Sequence, residues 1–399
     1  MTSKTIVETF VGCGGAHLGF RNNGFKSLLV NDIDSDMINT LLENKIIDKD
    51  QYFLGPVNEM TNDVIRKFIP QSQEVDVLFG GIVCKGFSLA GVRNPFDPRN
   101  YLYQEQLRIV EFLRPKVSVI ENVVALKEMT LYRRNDITES TFVQYTKLSD
   151  ANKNLNGEKS AKRKAGEKYD NLNKEITENK NKMDALLSKV AEHRFKIVDE
   201  LQKEYERLGY TVYIQVLKAS DYECFTSRSR VIIVAVRKDI GKVYKFPEIV
   251  SSTRTLEDAL KMIDYDGINN PKTDVDNRPM SHGEKTVERF KLIPEGKNIA
   301  DVIDDLPDDL KISKFYSRGN TQRLDRKKPA PTLVPGHSNF PIHPFEHRSI
   351  TVREAATVTG FPLTYKFCGS HSARCMQIGN AVPVQLAEHI AKSVLDVLS

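Results

Sequence analysis

The sequence predicts an α/β fold in which helices cover both faces of a mostly parallel sheet. In the first third of the chain, short apolar runs alternate with helical patterns, and such alternation is typical of parallel sheets. A much later run, residues 231–236, is apolar throughout, as a strand buried on both faces should be. A glycine-rich stretch directly follows the first apolar run, at the position where such sheets bind ligands.

The predicted elements follow from the spacing of apolar residues. The predicted strands are residues 6–11, 27–30, 75–79, 117–120, 211–217 and 230–236. The predicted helices are residues 36–44, 104–113, 351–359 and 385–398, and the last of these is amphipathic. Between residues 241 and 350 the pattern is irregular, with frequent Pro and Gly, which indicates a smaller second domain of loops and short strands.

An insertion interrupts the alternating pattern between residues 135 and 195. This stretch is rich in Lys, Asn and Glu and poor in aromatic residues. From Tyr169 to Leu208 apolar residues recur at helical spacing, which predicts one helix of about 40 residues that ends at Gly209. The simplest interpretation is a solvated insertion whose deletion leaves the activity largely intact. A nucleic-acid contact or a coiled-coil partner site is the alternative.

Composition excludes several classes of protein. With 399 residues, 40% hydrophobic and 28% charged, the chain is expected to hold two or three domains, without disorder or a membrane helix. The five cysteines include no Cys-x-x-Cys pair, which disfavours disulfides and a zinc site and favours a reducing, cytoplasmic setting. No secretory signal is visible at the N-terminus. The net charge of +5 equals that of residues 147–196 alone, so the bulk charge is a weak indicator of nucleic-acid binding.

The loop after the first strand is a candidate cofactor site. Gly12, Gly14 and Gly15 allow a sharp turn and a close approach of the backbone to a ligand. The second strand ends at Asp32, whose carboxylate can accept hydrogen bonds from the hydroxyls of a ribose. This pattern fits NAD, FAD or S-adenosylmethionine, although the third glycine of the dinucleotide motif is missing. A tight turn without a ligand is the structural alternative.

Ionisable residues follow three other predicted strands. Cys84 lies on a glycine-flanked loop after residues 75–79, and Glu121 directly follows residues 117–120. Such positions fall at the edge of a parallel sheet where ligands bind. Arg228 and Arg230 enter a later strand at alternate positions, so we expect their side chains to point to one face.

In this order, the motifs closely resemble those of the cytosine-5 DNA methyltransferases. The resemblance covers nearly the whole chain apart from the insertion. The matching segments are Phe10-x-Gly12-x-Gly14-Gly15, the Cys84 loop, Glu121-Asn122-Val123, Arg228-x-Arg230, Arg353-Glu354 and Gly379-Asn380. The resemblance implies a doubly wound, Rossmann-like methyltransferase domain with a smaller, irregular target-recognition domain and an inserted long helix. The corresponding boundaries are residues 1–240 for the catalytic domain with its insertion, 241–350 for target recognition, and 351–399 for a segment that returns to the catalytic domain.

The resemblance also implies a mechanism. A methyl group would pass from S-adenosylmethionine to carbon 5 of a cytosine flipped out of duplex DNA, after the Cys84 thiolate adds to carbon 6. Glu121 would share a proton with ring nitrogen 3. Arg228 and Arg230 would supply positive charge near the base carbonyl and lower the pKa of the thiol. Asn122 would hold the loop or the base.

Further site residues are implied in the same way. The cofactor-binding set is Phe10, Gly12, Gly14, Gly15, Asp32, Ile33, Gly81, Leu102, Asn380 and Val382. The DNA-binding set is Lys85, Ser88, Arg318, Arg323, Arg326, Lys327 and Thr332. Residues 311–328 hold seven basic residues against one acid, which suits phosphate contacts, and Arg318 and Arg323 are candidate readers of guanine. No metal site is expected.

Departures from the family pattern keep other functions open. Val83 and Lys85 flank the nucleophile where the family has Pro and Gln, and Thr226 replaces the Gln of the arginine motif. Ile33 replaces an aromatic residue and Pro56 an acidic one. The alternatives are an RNA cytosine-5 methyltransferase and a catalytically weak DNA-binding homologue. An NAD-dependent dehydrogenase would leave the nucleophile and arginine motifs without a role. We expect a prokaryotic, cytoplasmic enzyme of a restriction–modification system.

Overall fold

The computed structural model describes residues 3–82, 94–133, 137–250, 254–312, 319–334 and 340–399. The strands are β1 (Thr5–Thr9), β2 (Lys26–Asp32), β3 (Tyr52–Leu54), β4 (Val77–Gly80), β5 (Val117–Val123), β6 (Thr130–Tyr132), β7 (Arg194–Lys196), β8 (Tyr210–Lys218) and β9 (Ser229–Arg237). The helices are α1 (Gly15–Asn22), α2 (Ser35–Glu43), α3 (Asn62–Phe68), α4 (Tyr103–Leu113), α5 (Glu139–Lys164), α6 (Asp170–Lys189), α7 (Ile197–Arg207), α8 (Leu256–Lys261), α9 (Glu284–Leu292), α10 (Val352–Val358), α11 (His371–Asn380) and α12 (Val384–Leu398).

Seven strands form the main sheet in the order β3-β2-β1-β4-β5-β9-β8. Strand β1 pairs in parallel with β2 and β4, and β4 pairs in parallel with β5, whereas β8 and β9 are antiparallel. The strand order reverses direction at β1, and this switch point opens a crevice at the carboxyl edge of the sheet. The predicted α/β class is therefore confirmed. The predicted first strand is two residues too long, because Phe10 has a φ of 55° and turns the chain out of the sheet.

The chain divides into two compact units. The first contains the main sheet and comprises Met1–Gly81, Ile109–Glu121 and Tyr210–Ser399. One face of this sheet is covered by α1 and α12, whose Phe20, Leu386 and Ile390 form one buried cluster with strand residues that include Ile6 and Val119. The intervening strand residues, among them Val7, Leu78 and Ile120, are fully buried as well, so both faces are covered. Burial of this extent supplies most of the free energy that stabilises the sheet.

The second unit comprises Ile82–Arg108 and Asn122–Gly209. Helices α5 and α6 form an antiparallel hairpin, and Gly166, with a φ of 74°, lies in the turn between them. The predicted single helix of about 40 residues is wrong, because α6 ends at Lys189 and residues 194–196 pair with β6 before α7 begins. Val190 and Ile197 are seven residues apart, which is two helical turns, so the apolar spacing continues unchanged across the break.

Residues 241–350 contain α8, α9 and short 3-10 turns within the described part. Leu256, Leu324 and Phe340 join the buried cluster that also contains Met37 and Phe361 of the sheet unit. A separate cluster surrounds Phe290, Ile299 and Ile342. The boundaries of a target-recognition domain stay a prediction.

Two possible features are missing from the part of the chain that the structure describes. There is no helix with the length and apolar character needed to cross a membrane. There is also no group of three or more His, Cys, Asp or Glu side chains that could hold a metal ion. The four described cysteines, Cys13, Cys224, Cys368 and Cys375, are free thiols.

Candidate active site

The loop between β1 and α1 turns toward the end of β2. Gly12 and Gly14 have φ values of 58° and 86°, which residues with a Cβ rarely adopt. The Gly12 N–H donates to Asp32 Oδ2 at 2.9 Å, and the Asp34 N–H donates to Asp32 Oδ1 at 3.0 Å. Asp32 therefore holds the glycine loop against the carboxyl end of the sheet.

Asp32 also keeps capacity for a ligand. A carboxylate has about four lone-pair sites, so two backbone donors leave room for the hydroxyls of a ribose. Burial raises the pKa of the Asp32 carboxyl, and the N–H groups of Asp34 and Gly12 oppose that rise. The neighbouring Ile33 is 69% exposed, which is unusual for so apolar a side chain at a strand end. Among the described residues other than its two chain neighbours, none has an atom within 4 Å of the position a Cβ would take on Gly12. The glycine loop thus leaves open space beside the Asp32 carboxylate and the apolar Ile33 side chain. This arrangement fits a nucleoside cofactor.

The end of the chain completes this loop. A Cβ on Gly15 would lie 2.2 Å from the carbonyl oxygen of Val382, so only glycine allows this contact. Asn380 is exposed at the end of α11. The Tyr365 hydroxyl donates to the Cys13 carbonyl oxygen at 2.8 Å. Burial raises the pKa of the Cys13 thiol well above its usual value, so this cysteine is inert.

Gly15→Ala is expected to weaken cofactor binding at least about tenfold and to lower the stability of the protein by about 1–3 kcal/mol. The added methyl group clashes with the Val382 carbonyl oxygen, which is backbone and cannot rotate away. Calorimetric titration with the cofactor and thermal unfolding measure the two effects. Gly157→Ala is the matched control. Gly157 lies within α5, and apart from the nearby helix backbone no described residue has an atom within 4 Å of its Cβ position. The same substitution there should stabilise the protein by up to about 1 kcal/mol.

Sequence reasoning missed a buried polar pair behind this loop. Glu8 on β1 and His17 on α1 form a close hydrogen-bonded pair, and both side chains are almost completely buried. The other ring nitrogen of His17 lies 3.2 Å from the Ile46 carbonyl oxygen. The pair joins the strand and the helix that flank the glycine loop. A carboxylate in an otherwise apolar strand was the available signal.

The carboxyl ends of β1, β4 and β5 bring three predicted site residues together. Thr9 is paired with Gly80, and Gly80 with Ile120, so the next residues along the three strands are neighbours. A Cβ on Gly81 would lie 3.5 Å from the Phe10 carbonyl oxygen and 4.0 Å from Glu121 Oε2. Because Gly81 has no side chain, the Glu121 carboxylate reaches the edge of the cofactor loop.

Glu121 forms an ion pair with Arg230. The Arg230 Nε lies 2.8 Å from Glu121 Oε1, and both side chains are only 10% exposed. At this depth the removal of either partner leaves a buried charge, which costs about 3–5 kcal/mol. The pair therefore holds the carboxylate in one orientation at the end of β5.

Arg228 contacts backbone carbonyl groups, whereas Arg230 contacts the Glu121 carboxylate. Its Nη1 donates to the Gly379 carbonyl oxygen at 2.8 Å and its Nη2 to the Asn380 carbonyl oxygen at 3.3 Å. Burial, and then the charge of Arg230, lower the pKa of Arg228 to about 9, while Glu121 opposes the shift. Arg228 thus fixes the backbone that leads to Val382, beside the ion pair of Glu121.

The remaining catalytic candidates belong to the second unit. Asn122 donates from Nδ2 to the Ile82 carbonyl oxygen at 2.8 Å, and its Oδ1 accepts from the Val123 N–H at 2.8 Å. Asn122 therefore holds the backbone two residues before Cys84. Cys84 itself lies outside the described residues, as do Val83, Lys85 and Ser88. Leu102 follows a short 3-10 turn and is half-buried.

The prediction that Arg323 reads guanine is wrong. Its side chain is 4% exposed, and its guanidinium donates to the carbonyl oxygens of Phe290, Ile293, His343 and Glu346 and to the His347 ring. These contacts use all five N–H donors of an arginine, so none is left for a base. Arg323 instead joins three segments of the chain. Its place in a basic stretch of sequence did not reveal this burial.

The other DNA-binding candidates are more accessible. Arg326 forms a two-pronged ion pair with Glu295 and stacks on Phe345, while Lys327 is exposed. Thr332 is half-buried, close after Ala330 and Pro331, which hydrogen-bond to residues 225–227. Lys311 and Lys328 pair with nearby aspartates, so the positive field of this stretch is weaker than the sequence suggests. Arg318 lies outside the described residues.

Comparisons with known proteins agree with this geometry. The family model described as C-5 cytosine-specific DNA methylase matches residues 4–146 and 184–396, so the internal gap, residues 147–183, covers most of α5 and α6 and the turn between them. The type II methyltransferase M.Eco47II of Escherichia coli is 32% identical over 99% of this chain and 79% of its own length. M.Sau96I of Staphylococcus aureus is 27% identical over 99% of this chain and 76% of its own.

Solved structures agree on the fold. A protein described as a DNA modification methyltransferase encoded within an Escherichia coli prophage superposes with a TM-score of 0.62 at 22% identity, over 99% of both chains. The Spodoptera frugiperda DNMT2 structure gives 0.59 at 13% identity, over 98% of this chain and all of the other.

Proposed function

Because the chain belongs to the C-5 cytosine-specific DNA methylase family, we propose that it methylates a flipped-out cytosine in a specific duplex sequence through a covalent adduct of Cys84. The activity of this S-adenosylmethionine-dependent DNA methyltransferase is the transfer of a methyl group to carbon 5 of cytosine. The observation that carries the proposal is the Glu121–Arg230 ion pair, which lies beside Gly81 and the cofactor loop at the carboxyl edge of the sheet.

The cofactor is held by residues of the sheet unit. Asp32 would accept hydrogen bonds from the ribose hydroxyls, Ile33 and Phe10 would contact the adenine, and the Gly12 turn would leave space for the nucleoside. Asn380 and Val382 would line the methionine end, and Arg228 holds the backbone of Gly379 and Asn380 in place. S-adenosylmethionine supplies an electrophilic methyl group when bound. Pro56 provides no carboxylate for the adenine amine, so a hydrogen bond of the family pattern would be lost there.

The protein side of the chemistry begins with the nucleophile. The Cys84 thiolate adds to carbon 6 of the ring, which forms the S–C6 bond and moves the ring electrons toward carbon 5 and nitrogen 3. Glu121 takes up a proton from solvent as the base enters and donates that proton to nitrogen 3, which returns Glu121 to the carboxylate paired with Arg230. Arg230 places positive charge beside the base carbonyl. After methylation a base removes the hydrogen from carbon 5. The electrons of that C–H bond then expel the thiolate, which restores the aromatic ring.

Base flipping follows from the position of the reacting atoms. Carbon 6 of a stacked cytosine is closed to a thiol, so the base must leave the duplex. We assign target recognition to residues 241–350, with Arg326, Lys327 and Thr332 among the described candidates for DNA contacts. We also propose that the enzyme acts in the prokaryotic cytoplasm as part of a restriction–modification system, as the names of its bacterial relatives suggest.

The covalent step is tested with a modified substrate. The methylated site is first found by bisulfite sequencing of plasmid DNA incubated with the enzyme and S-adenosylmethionine. A duplex with 5-fluorocytosine at that site should then trap the enzyme in a complex that survives denaturing electrophoresis, because fluorine cannot leave carbon 5 as the proton does. The trapped peptide should contain Cys84. Methylation of ordinary DNA without any trapped complex would contradict the adduct, and a labelled tRNA tests the RNA alternative in the same assay.

A further inference from the structure

The interface between α5 and α6, called the seam below, is apolar in its first half and becomes polar further along the hairpin. Its first half is apolar and includes Phe142, Tyr145 and Met183. Asn152 and Asn179 then form a buried hydrogen bond of 3.1 Å across the seam.

Beyond Asn152, α5 continues the same three- and four-residue spacing with Asn156, Lys159 and Arg163. A helical hairpin ordinarily buries apolar side chains at such positions. Leu172 is the one largely buried hydrophobic side chain described between residues 153 and 175.

The end of this hairpin carries concentrated positive charge. We call residues 153–169 the hairpin tip. It holds six Lys and Arg against two Glu, whereas α6 has four residues of each sign. The whole second unit contains twenty-two Lys and Arg against seventeen Asp and Glu, which equals the net charge of the chain, so the sheet unit is neutral on balance. The tip is therefore the strongest local source of positive potential in the hairpin.

Lys159 and Lys162 each make a described contact within the tip, and neither contact removes the charge of the lysine. Lys162 lies 3.1 Å from Glu158 in an exposed pair one helical turn apart, and exposed pairs of this kind contribute little to stability. The Lys159 ammonium lies 5.6 Å from the centre of the Tyr169 ring. Charged side chains at these positions repel one another, and they leave this end of the hairpin with little apolar burial. A sequence that breaks a local packing rule in this way indicates a binding role.

We propose that the hairpin tip binds the phosphate backbone of duplex DNA outside the target site. The substrate of the enzyme is a polyanion, and flexible lysines suit contacts with phosphates that do not depend on sequence. The family model matches none of the hairpin tip, so a contact made by the tip would be specific to chains with this insertion. The tip then adds affinity and a faster encounter with DNA, while the choice of sequence stays with the recognition segment.

The test is the variant K153Q/K159Q/K162Q/K168Q. Glutamine keeps much of the length and the helix propensity of lysine, and circular dichroism checks the helices. Binding of fluorescent 14- and 40-base-pair duplexes that contain the methylated site is measured between 50 and 300 mM salt. For the long duplex we expect an affinity roughly 10- to 100-fold lower near 0.1 M salt. The slope of log K against log salt should be shallower by about 0.9 for each lost phosphate contact.

A matched variant removes the same charge from the sheet unit. K26Q/K67Q/K238Q/K245Q neutralises four exposed lysines outside the hairpin, and we expect the salt slope to change by less than one contact. The turnover of the tip variant at saturating DNA should equal that of the wild type, which separates this proposal from the proposed function. An unchanged slope for the tip variant, or equal changes in both variants, overturns the DNA contact. The first of these outcomes would favour a protein partner for the tip.

Discussion

Cys84→Ser is expected to abolish methyl transfer, with a loss on the order of 10⁴-fold or more in kcat. A serine hydroxyl stays protonated at neutral pH, whereas a thiol ionises readily when positive groups lie nearby. Without a strong nucleophile at carbon 6, carbon 5 does not become reactive enough to accept a methyl group. Tritiated methyl transfer to plasmid DNA measures the loss, and the 5-fluorocytosine duplex should no longer trap the variant.

The binding functions of this variant serve as internal controls. Serine and cysteine differ little in size, so the affinities for S-adenosylmethionine and for duplex DNA should stay close to those of the wild type. Cys368→Ser is the matched substitution, since Cys368 is half-buried and accounts for no step of the mechanism. We expect it to retain full activity. Undiminished transfer by Cys84→Ser would exclude the covalent mechanism.

Glu121→Gln is expected to lower kcat by about 10²- to 10⁴-fold with little change in the KM for DNA. The amide keeps the shape of the side chain and can still lie against Arg230, but it cannot take up a proton and deliver it to ring nitrogen 3. The negative charge that develops on the enamine after thiolate addition is then not neutralised by a proton. Single-turnover methyl transfer reports this step directly, because it is independent of product release.

A structural explanation of that loss can be separated from a chemical one. Removal of the Glu121 charge leaves Arg230 buried without a counterion, so some loss of stability is expected as well. Thermal unfolding should show a folded variant that still binds S-adenosylmethionine. Glu257→Gln, which breaks the exposed pair with Lys261, should change neither stability nor rate. A rate for Glu121→Gln within a few-fold of the wild type would exclude the carboxyl as proton donor.

Sequence reasoning correctly predicted the location of site residues that directly follow an apolar strand pattern. Glu121 directly follows an apolar run, and the glycines directly follow another, so the periodicity alone predicts that both lie at the carboxyl edge of the sheet. The pairing of Glu121 with Arg230 depends on β9 lying beside β5, and that order is a property of the folded sheet. The Glu8–His17 pair was missed for the same reason, since it joins a strand to a helix.

The spacing and composition of the sequence did not predict the burial of Arg323 or the end of helix α6. The basic stretch around Arg323 predicts a DNA contact. The side chain is instead held by four carbonyl groups, which come from residues 290, 293, 343 and 346. No local pattern encodes such an arrangement. The predicted long helix failed because the pairing of β6 with β7 overrides a helical period that would otherwise continue.

The contact between Gly15 and the Val382 carbonyl oxygen determines when the cofactor loop can form during synthesis of the chain. Gly19 of α1 is likewise packed against Ala387 of α12, so the first loop and helix of the chain are completed by residues more than 360 positions later. During synthesis from the N-terminus, the sheet strands emerge long before these partners exist. A nascent chain therefore cannot assemble the cofactor loop until residues 382–387 have left the ribosome. Ribosome-bound and truncated products of this gene would accordingly lack the capacity to modify DNA.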